Sequence, residues 1–470
     1  MQKTKIIATL GPSCYDIDII TNMLISGLSV FRINGAHLQN PTKTKQTINK
    51  IRRIAKKIDK PISIMMDLGG PKIRVKLPKQ INQITVNQGE KYSLGSKKND
   101  IPLNTTINVL KIYKNAKIKI DDGKITFKVI ALEKDAILIQ ALNSGIILNN
   151  KGVNFPGLHL KLPAVTTKDR QNINLAIDFG VDWLAQSFVR QPTNIYPIKR
   201  ILEKHNKRIP IIAKIETADA IQNLETILKK YDGILIARGD LGVEMELSNL
   251  PKLQKQIINQ CLYYKKPSIV ATQMLESMIH KSTPTRAEVN DVANAIYDGV
   301  DAIMLSAETA IGSHPVESVQ MMSSIASNIE TDLDISNFNR NIIDSLSTSI
   351  TNNYLAICHA AYSIASDLDI KVIAVLTDSG KTAIQMAQFR PNAPIVAITT
   401  NKKICNALSM IWGVIPIYTK NFDTMTKTYK TVNNILIKKD LINTGENFLI
   451  ASGILKIHNS TNMLQIYKSK

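Results

Sequence analysis

The sequence has few cysteines and histidines and no long apolar run. Its 470 residues include four cysteines, at positions 14, 261, 358 and 405, which lie far apart with no paired spacing. This usage argues against a disulfide scaffold and suits reduced thiols in a cytoplasm. The seven histidines form no ligand cluster, so we expect no zinc site. No run of eighteen apolar residues indicates a membrane span, and the N-terminus enters a predicted strand without room for a signal segment.

Acidic residues are also scarce, with 38 Asp and Glu against 59 Lys and Arg and a formal net charge of +21. Such a balance can indicate a nucleic-acid or acidic-membrane partner. However, the lysines are spread along the whole chain, and the densest run, residues 50–60, falls on the polar face of a predicted helix. Aromatic residues make up only 5% of the chain, so a platform for stacking bases is missing. Enrichment in Lys, Asn and Ile together is typical of AT-rich coding bias, and we expect neither a nucleic-acid nor a membrane partner.

Eight short, nearly continuous apolar runs rich in β-branched residues predict buried strands. They cover residues 5–8, 28–33, 62–66, 183–188, 211–215, 234–237, 269–272 and 302–305. Amphipathic helical patterns separate most of them, at residues 19–25, 48–58, 173–179, 220–228, 253–263 and 289–297. Runs that are apolar on both faces and alternate with helices indicate parallel strands, and eight of them fit a (β/α)8 TIM barrel.

Two further domains are predicted from breaks in this alternation. Residues 72–166 contain short alternating strands and turns, which predict a small all-β domain inserted into a barrel of residues 1–71 and 167–344. An insert at the catalytic rim is placed to act as a lid that excludes water, although an inert decoration is the alternative. Residues 345–470 alternate helix and strand again, which predicts a C-terminal open α/β sheet.

Polar residues recur where the predicted barrel strands end, which is the pattern of an active site. They are Thr9, Arg32, Asn34, Asp67, Ser187, Lys214, Glu216, Arg238, Gly239, Asp240, Thr272, Ser306 and Glu308. Lys214 and Glu216 follow one strand, and Asp240 follows the next. An ammonium beside two carboxylates is what a divalent cation and a phosphorylated or enolic substrate require. Taken alone, either motif could equally be a pair of solvated charges at a loop mouth.

Long motifs in a fixed order resemble the pyruvate kinase family over the whole chain. They are TKIIATLGPS at residues 4–13, FRIN at 31–34 with His37, MDLGGPKIR at 66–74, DDG at 121–123, NKGVNFPG at 150–157, ATQMLESM at 271–278, PTRAE at 284–288 and MLSAET at 304–309. The resemblance implies transfer of the phosphoryl group of phosphoenolpyruvate to ADP, giving pyruvate and ATP in the last step of glycolysis. It also implies a cytoplasmic homotetramer that uses Mg²⁺ or Mn²⁺.

The resemblance implies a role for each rim residue. Lys214, Thr272 and Arg32 would be catalytic, and Gly239 and Asp240 would join them in binding the substrate. Glu216 and Asp240 would hold the divalent metal, and Asn34, Asp67 and Leu68 would form a monovalent cation site. Asn34, His37, Arg74 and Lys151 would contact the nucleotide. Ser306 and Glu308 would lie behind Thr272, which would help to deliver a proton to the enolate.

Two departures from the family pattern change these expectations. Gly35 and Ala36 stand where many members have Phe-Ser, and Lys72 replaces an acidic residue. The lost hydroxyl and the gained ammonium predict appreciable activity without K⁺. The second departure is residues 454–462, a segment shorter and less glycine-rich than the usual effector loop.

A candidate effector site lies in the C-terminal domain, at residues 377–382. Thr377, Ser379, Gly380, Lys381 and Thr382 lie between an apolar strand and a helix, where backbone N–H groups favour an anion. Ordinary helix capping is the alternative. Because the altered 455–460 segment offers few contacts for a second phosphate, we expect a sugar monophosphate activator in preference to fructose 1,6-bisphosphate.

Two other functions compete with phosphoryl transfer. A metal-dependent aldolase or lyase of the citrate-lyase-β type would also present strand-end carboxylates around a pyruvate enolate, but it lacks the β insert and the C-terminal sheet. A catalytically inactive structural or RNA-binding relative would suit the high charge and the Gly35-Ala36 change. Against it, every charged position of the predicted site is intact.

Overall fold

The computed structural model describes residues 2–95, 99–105, 112–133, 136–158, 160, 162–332, 353–420, 425–453 and 461–470. Its first segment alternates strand and helix as predicted. The elements are β1 (Lys5–Thr9), α1 (Ile17–Ile25), β2 (Leu28–Asn34), α2 (Pro41–Lys57) and β3 (Ser63–Leu68). Each of these strands is buried over most of its length, because its side chains are apolar on both faces.

The insert after β3 is all-β, as predicted. Its strands are β4 (Gln83–Val86), β5 (Lys91–Gly95), β6 (Ile101–Pro102), β7 (Lys117–Ile120), β8 (Ile125–Leu132), β9 (Ala136–Ala141), β10 (Gly145–Leu148) and β11 (Val153–Asn154). They form a six-stranded sheet in the order β11-β7-β8-β9-β5-β6 and a two-stranded sheet of β10 and β4. Alternate residues of these strands fill a separate apolar core, which includes Leu94, Ile118, Phe127 and Ile139.

The barrel then resumes and closes. Its remaining elements are α3 (Thr167–Phe179), β12 (Trp183–Gln186), α4 (Tyr196–Lys204), β13 (Ile211–Ile215), α5 (Ala218–Gln222), α6 (Leu224–Lys230), β14 (Gly233–Ala237), α7 (Arg238–Glu244), α8 (Leu250–Tyr263), β15 (Ser268–Ala271), α9 (Arg286–Tyr297), β16 (Ala302–Leu305), α10 (Ala307–Ala310) and α11 (Pro315–Asp332). The eight parallel strands run in the closed order β1-β16-β15-β14-β13-β12-β3-β2. The predicted TIM barrel is therefore confirmed.

Several element boundaries differ from the sequence prediction. The helix predicted at residues 220–228 is two helices, α5 and α6, which meet at Asn223. Two strands predicted to end at Phe188 and Thr272 end two residues and one residue earlier. Phe188 and Thr272 have positive φ angles of 54° and 72°, a left-handed conformation that turns the chain out of the sheet.

The C-terminal domain is an open α/β sheet, as predicted. It comprises α12 (Asn353–Asp367), β17 (Ile370–Leu376), α13 (Lys381–Ala387), β18 (Ile395–Thr399), α14 (Lys402–Leu408), β19 (Val414–Tyr418), α15 (Met425–Lys438), β20 (Asn447–Gly453) and β21 (Thr461–Lys468). The strand order is β19-β18-β17-β20-β21, with β21 antiparallel at one edge. The predicted domain boundary between residues 344 and 345 lies outside the described residues.

The C-terminal domain packs against the barrel at the end opposite the polar rim. Trp183, at the start of β12, donates its indole N–H to the carbonyl oxygen of Ala407 at 3.0 Å. Arg390 forms a buried ion pair with Asp301 at 3.1 Å, so charge as well as apolar packing joins the two domains. Among the described residues, no helix has the length and apolar character needed to span a membrane.

Candidate active site

The carboxyl ends of the barrel strands bring the predicted polar residues to one rim. Lys214 lies in β13 and is followed by Glu216, while β14, the neighbouring strand, leads directly into α7 with Gly239 and Asp240 in its first turn. Arg32 and Asp67 occupy the adjacent strands β2 and β3 on the other side. Neighbouring parallel strands end at the same edge, so these side chains can meet although they are far apart in sequence.

Asp67 is the point at which two buried cations converge. Its Oδ2 atom accepts hydrogen bonds from Arg32, from Nε at 2.9 Å and from Nη2 at 2.6 Å. Its Oδ1 atom lies 3.3 Å from Nζ of Lys214. Burial by itself would raise the pKa of Asp67, but Lys214 and Arg32 outweigh burial and lower it. Asp67 therefore remains a carboxylate that fixes the positions of both cations.

Lys214 is held by three side chains in a buried setting. Its ammonium donates to Oγ of Ser187 at 2.8 Å and pairs with Oε1 of Glu216 at 2.9 Å, in addition to Asp67. Burial alone would lower the pKa of Lys214, but the two carboxylates raise it above its ordinary value. The side chain is therefore a permanent positive charge, suited to stabilising negative charge on a substrate and unsuited to acting as a base.

Glu216 and Asp240 are the two carboxylates suited to a divalent metal. Glu216 is almost fully buried, and its Oε2 atom accepts the backbone N–H of Phe188 at 2.7 Å. Burial raises the pKa of Glu216, Lys214 lowers it, and the negative charge of Asp240 raises it again. A cation bound near both carboxylates would relieve this repulsion.

The two carboxylates, Glu216 and Asp240, suit Mg²⁺ or Mn²⁺, which need few protein ligands. They do not suit a metal whose ligands all come from the protein. No group of three or more His, Cys, Asp or Glu side chains able to hold a metal occurs in the described part of the chain. Mg²⁺ is commonly bound by one or two carboxylates and completed by substrate phosphate and water oxygens. Two carboxylate side chains near the buried cations Arg32 and Lys214 match that pattern.

Thr272 and α7 are joined by a hydrogen bond at the rim. The hydroxyl of Thr272 accepts the backbone N–H of Gly239 at 2.8 Å and donates to the carbonyl oxygen of Ala271 at 2.6 Å. Arg238 donates to the carbonyl oxygen of Thr272 at 2.8 Å and pairs with Asp291 at 2.7 Å. These contacts hold Thr272 in its left-handed conformation, which is costly for a β-branched residue.

Ser306 and Glu308 lie on the next strand end. Glu308 is buried, and its carboxylate accepts the backbone N–H groups of Ser306 at 2.7 Å and of Leu275 at 3.2 Å. Burial raises the pKa of Glu308, while the backbone donors act in the opposite direction. Leu275 belongs to the loop that begins at Thr272, so Glu308 supports the loop that carries the threonine.

The predicted nucleotide residues divide between the barrel and the insert. Asn34 ends β2 and caps a short 3-10 helix (Gly35–His37) by accepting the N–H of Ala36 at 3.1 Å, and His37 is exposed. Arg74 forms an isolated bridge with Gly152 and donates to the carbonyl oxygen of Asn150 at 2.8 Å. Arg74 therefore lies beside Lys151 within the insert.

Lys151 has an acidic partner in the same domain. Its ammonium lies 2.8 Å from Asp121, a residue of the predicted DDG turn. Burial would raise the pKa of Asp121, but the hydrogen bonds from Lys151 and Lys124 lower it. The insert thus presents a fixed pair of cations, Arg74 and Lys151, on the loops that face away from its own core.

One of the residues predicted to form a monovalent cation site, Asp67, already contacts two side-chain cations. Asp67 holds Arg32 and Lys214, and the side chain of Leu68 is buried. Lys72, expected to supply charge at this site, pairs with Oδ1 of Asp240 at 2.7 Å, and its ammonium lies 5.9 Å from the ring centre of Phe188. The described contacts therefore bring Lys72 to Asp240, one of the two carboxylates predicted to hold the divalent metal.

Gly35 and Ala36 form a compact turn at the end of β2. A Cβ atom on Gly35 would lie 2.7 Å from the carbonyl oxygen of Asp67 and 2.9 Å from Nδ2 of Asn172. Asn172 also donates to the carbonyl oxygen of Gly35 at 3.0 Å. In this backbone arrangement only glycine fits at position 35. The close approach of Asp67 therefore explains why this chain has Gly35 where many similar sequences have phenylalanine.

The insert is fastened to α7, a contact that the sequence did not predict. Asn154 donates to Oε1 of Glu244 at 2.9 Å, and Lys119 donates to the carbonyl oxygen of Val243 at 2.7 Å. Asn154 and Lys119 face each other across β11 and β7. Asn154 belongs to the NKGVNFPG motif, but nothing in that motif indicates that its partner is Glu244, ninety residues later in the chain. The helix that carries Gly239 and Asp240 is therefore also the helix that the insert contacts.

The candidate effector segment forms a turn before a short helix. Gly380 has a φ of 78° and precedes α13, and its N–H donates to the hydroxyl of Thr377 at 2.9 Å. The hydroxyl of Thr382 is buried and shares a 2.7 Å hydrogen bond with Thr461. Ser379 and Lys381 are exposed. The 455–460 segment lies outside the described residues.

The sequence is similar to known proteins over both parts of the chain. The family described as "Pyruvate kinase, barrel domain" matches residues 1–319, and "Pyruvate kinase, alpha/beta domain" matches residues 355–467. The chain is 37% identical to "Pyruvate kinase" of Thermotoga maritima and 36% identical to "Pyruvate kinase" of Clostridium perfringens, each over 100% of both chains. It is 37% identical to "Pyruvate kinase 2" of Synechocystis, over 99% of this chain and 79% of that protein.

The fold is similar to that of a solved structure. A crystal structure of a pyruvate kinase from Cryptosporidium parvum superposes with a TM-score of 0.95 and 30% sequence identity. The match covers 100% of this chain and 96% of the other, so it includes the barrel, the insert and the C-terminal sheet.

Proposed function

The chain belongs to the pyruvate kinase family, and we propose that Lys214, Arg32 and Thr272 perform its phosphoryl and proton transfers at the barrel rim. The observation that carries this assignment is the buried ammonium of Lys214, which Asp67 and Glu216 hold in its charged form. Phosphoryl transfer needs fixed positive charge where the transferring group and the enolate develop negative charge.

Arg32 and Lys214 would bind the phosphate of phosphoenolpyruvate. A guanidinium has five N–H donors, and Arg32 donates one each from Nε, Nη1 and Nη2 to Asp67 and Thr9. Two N–H groups remain for phosphate oxygens, in the planar geometry that favours bidentate binding. Asp67 would act as a positioning residue, since it touches both cations.

Glu216 and Asp240 would hold the divalent metal. Bound Mg²⁺ or Mn²⁺ supplies positive charge to the substrate's carboxylate or enolate oxygen and to its phosphate. The backbone N–H groups in the first turn of α7 would orient the substrate carboxylate beside Gly239 and Asp240.

Thr272 would help to deliver a proton from solvent, which converts the enolate of pyruvate to pyruvate. Its hydroxyl hydrogen bond to Gly239 ties proton delivery to the helix that carries Asp240. Ser306 and Glu308 would support this step, because Glu308 holds the loop that follows Thr272. The proton ends on the terminal carbon of the enolate, and the oxygen becomes the ketone of pyruvate.

ADP would bind between the barrel and the insert. Asn34 and His37 lie at the rim, and Arg74 and Lys151 lie together in the insert, which supports a nucleotide bridging the two domains. Closing the insert over the rim would exclude water, which would otherwise accept the phosphoryl group. The lid contacts with α7 support this role.

The Lys72 ammonium supports a reaction that does not require K⁺. Its position beside Asp240 and its replacement of an acidic residue add positive charge at the rim.

We also propose a cytoplasmic homotetramer. The edge strand β21, half-exposed along its length, supports further assembly through the C-terminal sheet.

A sugar monophosphate would activate the enzyme at residues 377–382. The exposed Ser379 and Lys381, with the turn at Gly380, support anion binding there. Thr377 and Thr382 would act through the turn and through Thr461, because both hydroxyls are already hydrogen-bonded.

A coupled assay of pyruvate formation tests the proposed site. Wild-type protein should form pyruvate from phosphoenolpyruvate only when ADP and Mg²⁺ are present. Lys214→Met should remove this activity, whereas Lys168→Met, which alters an exposed lysine bonded to the carbonyl oxygen of Ala36, should retain it. ADP-independent pyruvate release from a larger acid would instead support the lyase alternative.

A further inference from the structure

Positive charge is distributed unevenly around the outside of the barrel. α2 carries seven Lys and Arg residues and no acidic residue. On the other side of α1, α11 carries three acidic residues and no Lys or Arg, and α1 itself has no basic residue. A coding bias toward lysine would add charge to all exposed helices, so it does not explain two neighbouring helices without any.

α2 packs against α3, and α3 packs against α4. α3 has two basic and two acidic residues, whereas α4 has three basic residues and one acidic residue. We define the basic face by the exposed basic side chains on and after these helices, which are Lys45, Arg53, Lys56, Lys57, Arg170, Arg200, Lys204, Lys207 and Arg208. The exposed carboxylates on the three helices are Asp178 and Glu203. Within the described residues none of the nine forms an ion pair, whereas the neighbouring Arg52 pairs with buried Asp182. These cations repel one another, so an anionic partner would bind here favourably.

We propose that the basic face binds single-stranded RNA through its phosphates. On α2, α3 and α4, Tyr196 is the one large hydrophobic side chain that the described structure exposes. A protein partner would need an apolar centre to its interface, which this face lacks. A phosphodiester chain needs only the charges.

The shape of the surface favours a flexible strand over a flat or rigid partner. The basic face lies on the convex outside of a barrel, and α2, with 17 residues, spans about 25 Å. A bilayer or a straight duplex would touch a convex surface along a narrow line, whereas a single strand can follow it. Without aromatic side chains for base stacking, binding would be independent of sequence and strongly dependent on salt.

The expected salt dependence follows from the number of phosphates neutralised. If about six phosphates are contacted, log Kd should rise with log salt with a slope of about 4 for a single strand. Raising salt from 50 to 200 mM should then weaken binding by about 300-fold. Fluorescence anisotropy of a labelled 30-nucleotide RNA of mixed sequence, titrated with the full chain, measures both quantities.

The variant and its control should remove the same charge from different surfaces. R53E/K56E/K57E should weaken RNA binding at 50 mM salt by at least about 30-fold. K76E/K79E/K91E makes the same change in net charge at three exposed lysines of the insert. It should weaken binding less than about threefold, because these lysines lie outside the basic face. Pyruvate formation and the melting temperature should match wild type in both variants, which separates this site from the catalytic rim.

Specific results would overturn the proposal. Absence of RNA binding at 50 mM salt, equal losses in the two triple variants, or binding to phosphatidylserine vesicles without binding to RNA would each do so. If the charge-reversal variant fails to fold, K56Q/K57Q replaces it, and the salt slope should fall by about 1.4. An unchanged slope in that variant would also refute the basic face as the binding surface.

Discussion

Lys214→Met is the sharpest test of the site, because methionine keeps most of the side-chain length and removes only the charge. In the folded chain the ammonium of Lys214 contacts Ser187, Asp67 and Glu216. Among the described residues, no other cation forms an ion pair with both Asp67 and Glu216. Losing one preorganised donor at a developing oxyanion typically costs about 3 to 4 kcal/mol of transition-state stabilisation. We therefore expect kcat to fall by at least about 10²–10³-fold.

The same substitution should leave metal binding largely intact, because Glu216 and Asp240 both remain. Mn²⁺ binding, followed by electron paramagnetic resonance on the isolated protein, separates the two effects. Glu216→Gln should weaken Mn²⁺ binding instead, since it removes one of the two carboxylates. Urea unfolding of each variant checks that the barrel still folds cooperatively.

The comparison has a clear failing result. Equal and small losses of turnover in Lys214→Met and Glu216→Gln would show that these strand ends are not the reaction centre. A loss in Lys168→Met as large as that in Lys214→Met would show that general positive charge, and not the buried ammonium, supports the reaction.

Three other substitutions test separate parts of the structure. Lys72→Glu places a second carboxylate beside Asp240 and should abolish turnover or make it respond to K⁺. Wild-type turnover in sodium-free Tris buffer should not require K⁺. An absolute requirement of the wild-type protein for K⁺ would contradict this prediction. Gly35→Ala should lower the free energy of unfolding in urea by about 1–3 kcal/mol, because the added Cβ would lie 2.7 Å from the carbonyl oxygen of Asp67. An unchanged midpoint of the urea unfolding curve would contradict the close contact in this turn. Lys381→Glu should abolish activation by ribose 5-phosphate at subsaturating phosphoenolpyruvate without changing basal turnover, and an equally activated variant would reject the site.

The architecture and the positions of the main candidate residues could be predicted without a structure. Burial of parallel strands on both faces produces continuous apolar runs, and this pattern is local, so it can be counted without a structure. Lys214, Glu216 and Asp240 could be placed at the rim because each lies within three residues of the last residue of a strand. Helix and strand limits were less certain where a backbone turn overrides the pattern, as at Phe188 and Thr272.

Contacts between distant segments were decided only by the tertiary structure. Asp67 was predicted as a ligand of a monovalent cation, yet barrel closure brings it between Arg32 and Lys214. Lys72 reaches Asp240 across 168 residues of sequence. A position at a strand end is a local property, but the partner that a side chain meets depends on ring closure and on how far the side chain reaches.

The distribution of charge shows the same division. Along the sequence the lysines are spread over the whole chain, which is one of the reasons for expecting no nucleic-acid partner. Folding the helices around the barrel places α2 beside α3 and α3 beside α4, while α1 and α11 follow on the other side of α2. Electrostatic potential depends on distances through space, so a basic face appears only when separate helices become neighbours.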